Sequence, residues 1–451
     1  MNIGAAFWEM MAREHNISAD GLVKGEEDGY INKFFYEKKD NSSLMARALF
    51  MDTDCCETNK IKKSDIKGII CAQSVCTGKE ESGACWARMS YSSFSSLYHD
   101  SGFYDYLRKQ AESCEKIDGF ILTFSVGGGT GSGMMSKMYD RLSVDYGGKT
   151  SFVSLGVYPS SAIHNSIIEP YNSLLHLNDE IEHSSLSLVV DNEALYKIYQ
   201  NKLDVDNPAY SNINRLIAKS LGDTLLPIRF SATSNQGSLN KLATSLVPYP
   251  RAHFVKLSLA PLLPVEESDK GTSNVAQITE DLFSTGNALN SYSSETPLDS
   301  YISASINYRG DILPTEAQEA CACIKDEKEY DAPYKFVDYS PDGVTYSITP
   351  SFSSRGSKGR GWNDLPPDWA WVNRSASMTA NSLGSVGFIG PLQKRLNKLW
   401  AKRAYIHHFT EVGCSNTEFN ESIDNVVALK DDYYEIMRPT EEGEPFEDAD
   451  D

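Results

Sequence analysis

The sequence predicts an α/β fold in which a doubly wound, mostly parallel sheet precedes an α+β intermediate domain and a C-terminal helical hairpin with an acidic tail. Three observations support this prediction. Short apolar strands alternate with amphipathic helices as far as residue 193, which is typical of a parallel sheet covered by helices. A glycine-rich turn at 124–133 joins one such strand to a helix. Beyond residue 229 the strands take on a hairpin-like pattern, and two helices close the chain.

The first part of the chain begins directly with an amphipathic helix, 3–15, although a strand normally precedes the first helix of such a fold. A polar loop follows this helix. The later predicted elements are strand 46–52, a helix after the loop 77–91, helix 100–115, strand and helix 119–142, strand 152–159, a helix from 169, strand 186–193 and helix 210–221.

In the second part we expect hairpin-like strands near 251–257 and 301–306, a long loop over 351–370 and two helices over 390–437 that separate near Gly413. These expectations divide the chain into five regions. They are a first domain at 1–195, a linking core helix region at 196–228, the α+β intermediate domain at 229–372, the C-terminal helices at 373–437 and the acidic tail at 438–451.

The composition excludes several classes of protein. The net charge is −20, and seven of the last eleven residues are acidic, which argues against nucleic acid as a partner and predicts a solvated tail. No apolar run is long enough to cross a bilayer and no signal-peptide pattern is present, so we expect no membrane partner. The nine cysteines lack the spacing of a disulfide framework or zinc site, which favours reduced thiols in a cytosolic protein.

The glycine-rich turn carries the strongest chemical signal. Five of the seven residues from 127 to 133 are glycine, and Thr130 and Ser132 add hydroxyl donors. Without Cβ atoms the backbone can approach a ligand closely, and the N–H groups of the first helical turn can bind an anion, most often a phosphate. The turn lacks the lysine of the P-loop and the downstream acid of the dinucleotide fingerprint. A flexible linker is disfavoured, because linkers are not bounded by a strand and a helix.

Two acids, Asp52 and Asp54, follow a predicted strand. Carboxylates at the carboxyl end of a sheet strand are well placed to meet a nucleotide-bound Mg²⁺, directly or through water. Simple turn chemistry explains the same residues equally well, and the residues alone leave both interpretations open.

The segment Gly127-Gly128-Gly129-Thr130-Gly131-Ser132-Gly133 resembles the glycine-rich signature of the tubulin superfamily. The resemblance runs through the chain, at 3–15, 50–54, 169–172, 191–196, 246–251, 308–311 and 401–404. It implies that 1–195 is a GTP-binding domain with GTP and Mg²⁺ as cofactors. The residues that it assigns are Asp52 and Asp54 facing the nucleotide and Mg²⁺ (Asp54 as metal ligand), Glu169 near the ribose, Asn192 and Asn214 on the guanine edge, and Tyr210 stacked on the base. An amide offers guanine both an acceptor and a donor, and a tyrosine ring offers an aromatic face.

Within the family the chain is most similar to epsilon-tubulin, on the segments 96–100, 107–114 and 404–409. The resemblance then implies a structural role in the microtubules of centrioles or basal bodies, within the cytoplasmic cytoskeleton. It implies other tubulin chains as longitudinal partners and microtubule-associated proteins as partners of the acidic tail. Two alternatives stay open: a divergent α-like chain that copolymerises into ordinary microtubules, and a non-polymerising paralogue that binds or caps tubulin partners.

Three departures from the family affect the expected activity. The strand and most of the turn before the first helix are absent, so either the start of the gene is misassigned, which we expect, or the phosphate site is incomplete. Lys241 stands where α-chains carry the glutamate that completes the GTPase site of the next subunit, and a lysine is a poor general base. Gly83-Ala84-Cys85 replaces residues of the loop that senses the γ-phosphate. Whether the chain hydrolyses GTP therefore stays open, and no residue is assigned as catalytic.

Overall fold

The computed structural model describes residues 1–23, 31–38, 43–148, 150–159, 166–230, 237–270, 274–291, 300–325, 334–337, 343–349, 369–370 and 372–437. The predicted loop at 351–370 lies almost wholly outside these residues, and the acidic tail lies entirely outside them. None of the helices in the described ranges is both long and apolar enough to cross a lipid bilayer.

The strands in the described residues belong to one large sheet and two small ones. They are β1 Phe35–Glu37, β2 Leu44–Ala46, β3 Phe50–Asp52, β4 Val75–Thr77, β5 Gly119–Ser125, β6 Ser151–Tyr158, β7 Leu186–Asp191, β8 Phe254–Ala260, β9 Ser300–Gly310, β10 Lys335–Phe336, β11 Val344–Thr349 and β12 Arg374–Ser382. The pairs β1–β2 and β3–β4 form the two small sheets.

The helices in the described residues cover both faces of the sheets. They are α1 Asn2–Glu14, α2 Cys55–Lys63, α3 Phe103–Glu112, α4 Gly129–Tyr146, α5 Glu169–His183, α6 Asn192–Asn201, α7 Tyr210–Thr224, α8 Leu226–Arg229, α9 Leu239–Leu246, α10 Val275–Phe283, α11 Pro314–Lys325, α12 Ile389–Trp400, α13 His407–Thr410 and α14 Asn416–Ile436. Two π-helical segments, Arg88–Ser93 and Ser96–Asp100, precede α3.

The large sheet confirms the predicted fold class. Its strands lie in the order β10-β9-β12-β8-β7-β6-β5, with β11 also paired to β9, and β5 to β8 are all parallel. Strands β6 and β7 are apolar and buried along nearly their whole length, as expected of parallel strands covered on both faces. The carboxyl ends of β5, β6 and β7 therefore meet at one edge of the sheet.

Three predicted details of the strands are wrong. The strands predicted near 251–257 and 301–306 form as β8 and β9, but not as parts of hairpins, because β12 lies between them and pairs antiparallel with both. The region 373–437, predicted as helices, begins with this same strand. The predicted strand 46–52 is two strands, since residue 46 ends β2 and β3 begins at residue 50. The first two errors share a cause: β12 pairs with segments that lie far away in the sequence, and local periodicity does not reveal such pairing. The division into domains stays a prediction.

A cavity of about 660 Å³ lies beside β5. Strand β5 is the end strand of the large sheet in the described residues, and its outer edge faces this cavity instead of another strand. Apolar residues of β5, including Phe120 and Leu122, line the cavity together with Phe50 and Met51 of β3. The backbone groups on this edge of β5 therefore border the cavity.

His15 caps the carboxyl end of α1 in an apolar setting. Its ring stacks on Phe230 with centroids 4.7 Å apart, and neither ring nitrogen has a hydrogen-bond partner among the described residues. Burial, and then the nearby Arg229 charge, lowers the pKa of His15 to about 3. The folded protein therefore holds this ring neutral.

We expect His15→Phe to leave stability at pH 7 unchanged or about 1 kcal/mol higher, because no hydrogen bond is lost and an unsatisfied polar ring is removed. The wild-type pKa is depressed on folding, so stability is lost as pH falls from about 6.5 towards 3, reaching about 2 kcal/mol at pH 5. Chemical denaturation at pH 7 and pH 5 should show a smaller loss in the variant. His253→Phe is the control at pH 7 only and should lose stability there, since His253 Nδ1 lies 2.8 Å from the Pro250 carbonyl and that contact is lost. Equal acid losses in wild type and His15→Phe would contradict this expectation.

Candidate nucleotide site

The glycine-rich turn connects β5 to the 18-residue helix α4. Helix α4 begins at Gly129 and its first turn contains no acidic residue. No described side chain caps this helix, so the N–H groups of its first turn keep the capacity to bind an anion. The geometry therefore fits a phosphate at this point, as the sequence predicts.

The glycines of the turn serve mainly close packing within the protein. A Cβ at Gly129 would lie 2.3 Å from backbone atoms of Ala84 and Cys85, and one at Gly131 would lie 2.5 Å from the Ser125 carbonyl oxygen. Similar clashes arise at Gly127, with Glu169, and at Gly133, with Trp86. Gly128 has room, since the nearest atom would be 3.9 Å away. The sequence assigns these glycines to the ligand, whereas most of them make room for other loops of the protein.

The two hydroxyls of the turn behave differently. The Thr130 hydroxyl lies 3.0 Å from the Thr53 hydroxyl and 2.8 Å from the Ser82 hydroxyl, so it joins the end of β3, the loop at 82–86 and α4. Ser132 is fully buried, and its hydroxyl donates to the carbonyl of Gly128 within the same helical turn. The Thr130 hydroxyl thus lies at the surface of the site, whereas the Ser132 hydroxyl is bonded within the helix.

The two acids at the end of β3 make the hydrogen bonds of a turn, which is one of the two interpretations that the sequence leaves open. Asp52 Oδ1 accepts hydrogen bonds from the N–H groups of Thr53 (2.8 Å) and Asp54 (3.3 Å). Asp54 Oδ1 caps α2 by accepting from the Cys56 N–H at 2.7 Å. Each carboxylate keeps a second oxygen that can bind a cation. Asp54 and the thiols of Cys55 and Cys56 are exposed and lie within 4.8 Å of one another, but oxygen-preferring Mg²⁺ would use only the carboxylate.

The residues predicted to contact the base and the ribose lie at the starts of three helices. Glu169 opens α5, is buried and lies against Gly127, as the Cβ clash there shows. Asn192 opens α6 directly after β7 and is half-buried. Tyr210 opens α7 with 69% of its surface exposed, and Asn214 follows one turn later.

The starts of α6 and α7 lie next to each other. Burial, and then the adjacent Tyr210 hydroxyl, raises the pKa of Tyr196 on α6. The structure thus brings the phosphate turn, Asp52 and Asp54, Glu169, and the residues opening α6 and α7 to the carboxyl edge of the sheets. Their direct contacts with a guanine nucleotide stay predictions.

Comparison with known proteins identifies the family. Residues 1–200 match the family model of the Tubulin/FtsZ family GTPase domain, and residues 250–384 match the tubulin C-terminal domain. The chain is 33% identical over 462 residues to the tubulin alpha chain of Dictyostelium discoideum, covering 99% of this chain and 97% of that relative. The chain belongs to the tubulin family. Membership of this GTPase family implies that the chain binds GTP.

In this tubulin, Asn172 of α5 is a site residue that the sequence does not reveal. Its side-chain amide donates to the carbonyls of Ala84 (2.8 Å) and Gly127 (3.1 Å), and its oxygen accepts from the Trp86 N–H at 2.9 Å. The residue is completely buried. One side chain therefore ties the glycine-rich turn to the loop at 82–86.

His176, one turn further along α5, supports the same turn. Its Nδ1 lies 3.2 Å from the Ser132 carbonyl and 3.3 Å from the Ser136 hydroxyl, and burial lowers the pKa of His176 to about 3. The available signal was the placing of the polar residues 172, 176 and 180 four apart, on one face of the predicted helix.

Proposed function

We propose that this tubulin is a GTP- and Mg²⁺-binding structural subunit of the epsilon type, which builds or stabilises the microtubules of centrioles or basal bodies. The observation that carries the nucleotide part is the uncapped first turn of α4, with Asp54 close by at the end of β3. Asp54 would hold Mg²⁺ through its carboxylate. Bound Mg²⁺ would neutralise phosphate charge there. Other tubulin chains would be its longitudinal partners in the filament.

The epsilon assignment rests on segments that differ from ordinary chains, above all 404–409. This segment is in contact with the nucleotide loops. The Tyr171 hydroxyl donates to the Ala404 carbonyl at 3.0 Å, and the Cys85 thiol lies 3.7 Å from the His408 carbonyl. A sequence change here therefore acts close to the site. Microtubule-associated proteins would bind the tail at 438–451, which is outside the described residues.

Localisation of a tagged copy at its native expression level tests this proposal. Label confined to centrioles or basal bodies is the expected result. Label along all microtubules would favour the α-like alternative, which the 33% identity to an alpha chain supports. Label that stays with soluble tubulin would favour the non-polymerising alternative, which the replaced residues Gly83-Ala84-Cys85 support.

We further propose that Lys241 prevents this chain from triggering GTP hydrolysis on a neighbouring subunit. Lys241 is exposed in the first turn of α9, where Ser238 caps the helix. In mixed assembly with ordinary tubulin, Lys241→Glu should raise phosphate release by about 10²-fold or more, the usual effect of a positioned general base. Asn240→Glu adds an acid at the adjacent exposed position and should change little. Wild-type phosphate release equal to that of ordinary tubulin would contradict the proposal.

A further inference from the structure

We propose that Asn172 is a positioning residue that holds the loop 82–86 closed over the glycine-rich turn, and that it thereby sets the preference of the protein for a nucleoside triphosphate over a diphosphate. This inference rests on the proposed binding of GTP at the turn. In this inference Asn172 helps the protein to distinguish a nucleotide with a terminal third phosphate from one without it. Asn172 acts through the loop and does not touch the nucleotide.

The hydrogen bonds of Asn172 span two separate parts of the chain. Its NH₂ group bonds a carbonyl on each side, Ala84 in the loop and Gly127 in the turn, and its oxygen holds the N–H of Trp86. The bonds to Trp86 and Gly127 are buried and the bond to Ala84 is partly buried, while Asn172 itself has no exposed surface. A displacement of the loop therefore breaks bonds that also position the turn.

The loop that Asn172 holds is strained. Gly83 and Ala84 both adopt left-handed backbone conformations, with φ of 57° and 56°. Glycine accepts this conformation readily, whereas alanine does so at a cost. The loop needs bonds to keep this shape, and those at Ala84 and Trp86 both come from Asn172. The contact between Ser82 and Thr130 adds a further bond. The shape of the loop therefore depends on these hydrogen bonds.

The order of the strands indicates which part of the nucleotide meets this loop. The predicted base contacts follow β7, the glycine-rich turn follows β5, and the loop lies beyond β5 on the side of β3. A nucleotide with its base near β7 and its phosphates on the first turn of α4 therefore points its last phosphate towards Ser82 and Thr53. The backbone of Ala84 and Cys85 also packs directly on Gly129, where α4 begins.

The decisive variant is Asn172→Asp, tested in the purified full chain by titration with GTP and with GDP. Aspartate keeps the shape and the acceptor for Trp86 but loses both donated hydrogen bonds and opposes two carbonyls. We expect the ratio of GTP to GDP affinity to fall about tenfold, as for the loss of two buried hydrogen bonds. Affinity for GDP should fall less than affinity for GTP, because the base contacts are untouched and only the bond to Gly127 acts on the turn itself. Asn178→Asp is the matched control on α5, since the Asn178 side chain accepts a hydrogen bond from Asn425 of the C-terminal helix α14.

A second variant tests the loop itself, in case Asn172→Asp does not fold. Gly83 is exposed, and Gly83→Ala adds strain to the closed loop while leaving Asn172 intact. It should lower the same affinity ratio. Gly102→Ala is its control, because Gly102 has a φ of 78° and open space around it but belongs to the start of α3.

The outcomes separate this inference from the proposed function. Equal losses of GTP and GDP affinity in Asn172→Asp, or an unchanged ratio in both variants, would reduce Asn172 to a structural support and overturn the inference alone. A wild-type protein that binds neither nucleotide would overturn the proposed function, and this inference with it.

Discussion

Replacing Glu14 by glutamine is expected to lower the free energy of unfolding by about 3 kcal/mol or more. Glu14 ends α1 and binds two arginines, Arg229 of α8 and Arg309 of β9, the latter at 2.6 Å. Arg229 is completely buried, and Arg309 also lies 3.5 Å from Asp223 of α7. Glutamine keeps the shape of Glu14 but leaves the buried guanidinium charge without its carboxylate, which is the costly way to break a buried ion pair.

Glu9→Gln is the matched control for Glu14→Gln. Glu9 lies on the same helix and pairs with Arg13 at 2.5 Å, but both side chains are about one-third exposed or more. Exposed pairs of this kind contribute under about 1 kcal/mol. Chemical denaturation monitored by far-UV circular dichroism should therefore separate the two variants clearly. Similar small losses in both would mean that the buried network contributes no more than a surface pair.

The pH dependence provides a second readout of the Glu14 network. Burial by itself raises the pKa of Glu14, but the charges of Arg229, Arg309 and Lys219 outweigh it and hold that pKa well below its usual range. The folded pKa is depressed, so the contribution of Glu14 is present above the unfolded pKa of about 4.3 and is lost as pH falls below it. The difference between wild type and Glu14→Gln should accordingly be constant from about pH 8 to about pH 6 and shrink below about pH 4.

What the sequence could predict was local. The strand, turn and helix around the glycines follow one another without interruption from residue 119 to residue 146, and their periodicities and glycine spacing are visible without any tertiary contact. The same holds for the acids at the end of β3 and for the residues that open α5, α6 and α7. The glycine-rich turn and the starts of α5 and α6 lie at the carboxyl edge of the large sheet because the parallel strands β5, β6 and β7 end there.

What the sequence could not reveal depends on pairs that are far apart along the chain. Strand β12 joins the sheet between β8 and β9, more than 60 residues after either of them begins. Asn172 bonds residues 45, 86 and 88 positions away, and the spacing of polar residues along α5 does not indicate which distant residues they bond. The role of the glycines is a similar case, since only the folded structure shows that the loop at 82–86 occupies the space a Cβ would need.

Two adjacent glycines should give opposite results when each is replaced by alanine. At Gly129 the new Cβ would lie 2.3 Å from the backbone of Ala84 and Cys85, and Asn172 restrains that backbone. The loop cannot move without losing those bonds, so we expect a loss of about 1–3 kcal/mol in stability and at least about a tenfold loss in GTP affinity.

At Gly128 the nearest atom would be 3.9 Å away and the backbone angles, φ −81° and ψ 154°, suit alanine. Gly128→Ala should therefore fold with wild-type stability, as measured by thermal unfolding without nucleotide. Any change of GTP affinity in Gly128→Ala then reflects contacts with the nucleotide, because the fold is unchanged. A loss of GTP affinity in Gly128→Ala would mean that the phosphates approach this residue closely, whereas unchanged affinity would place them further along the first turn of α4. Wild-type stability in Gly129→Ala would instead show that the loop at 82–86 can leave the turn at little cost, and the packing role of Gly129 would then be wrong.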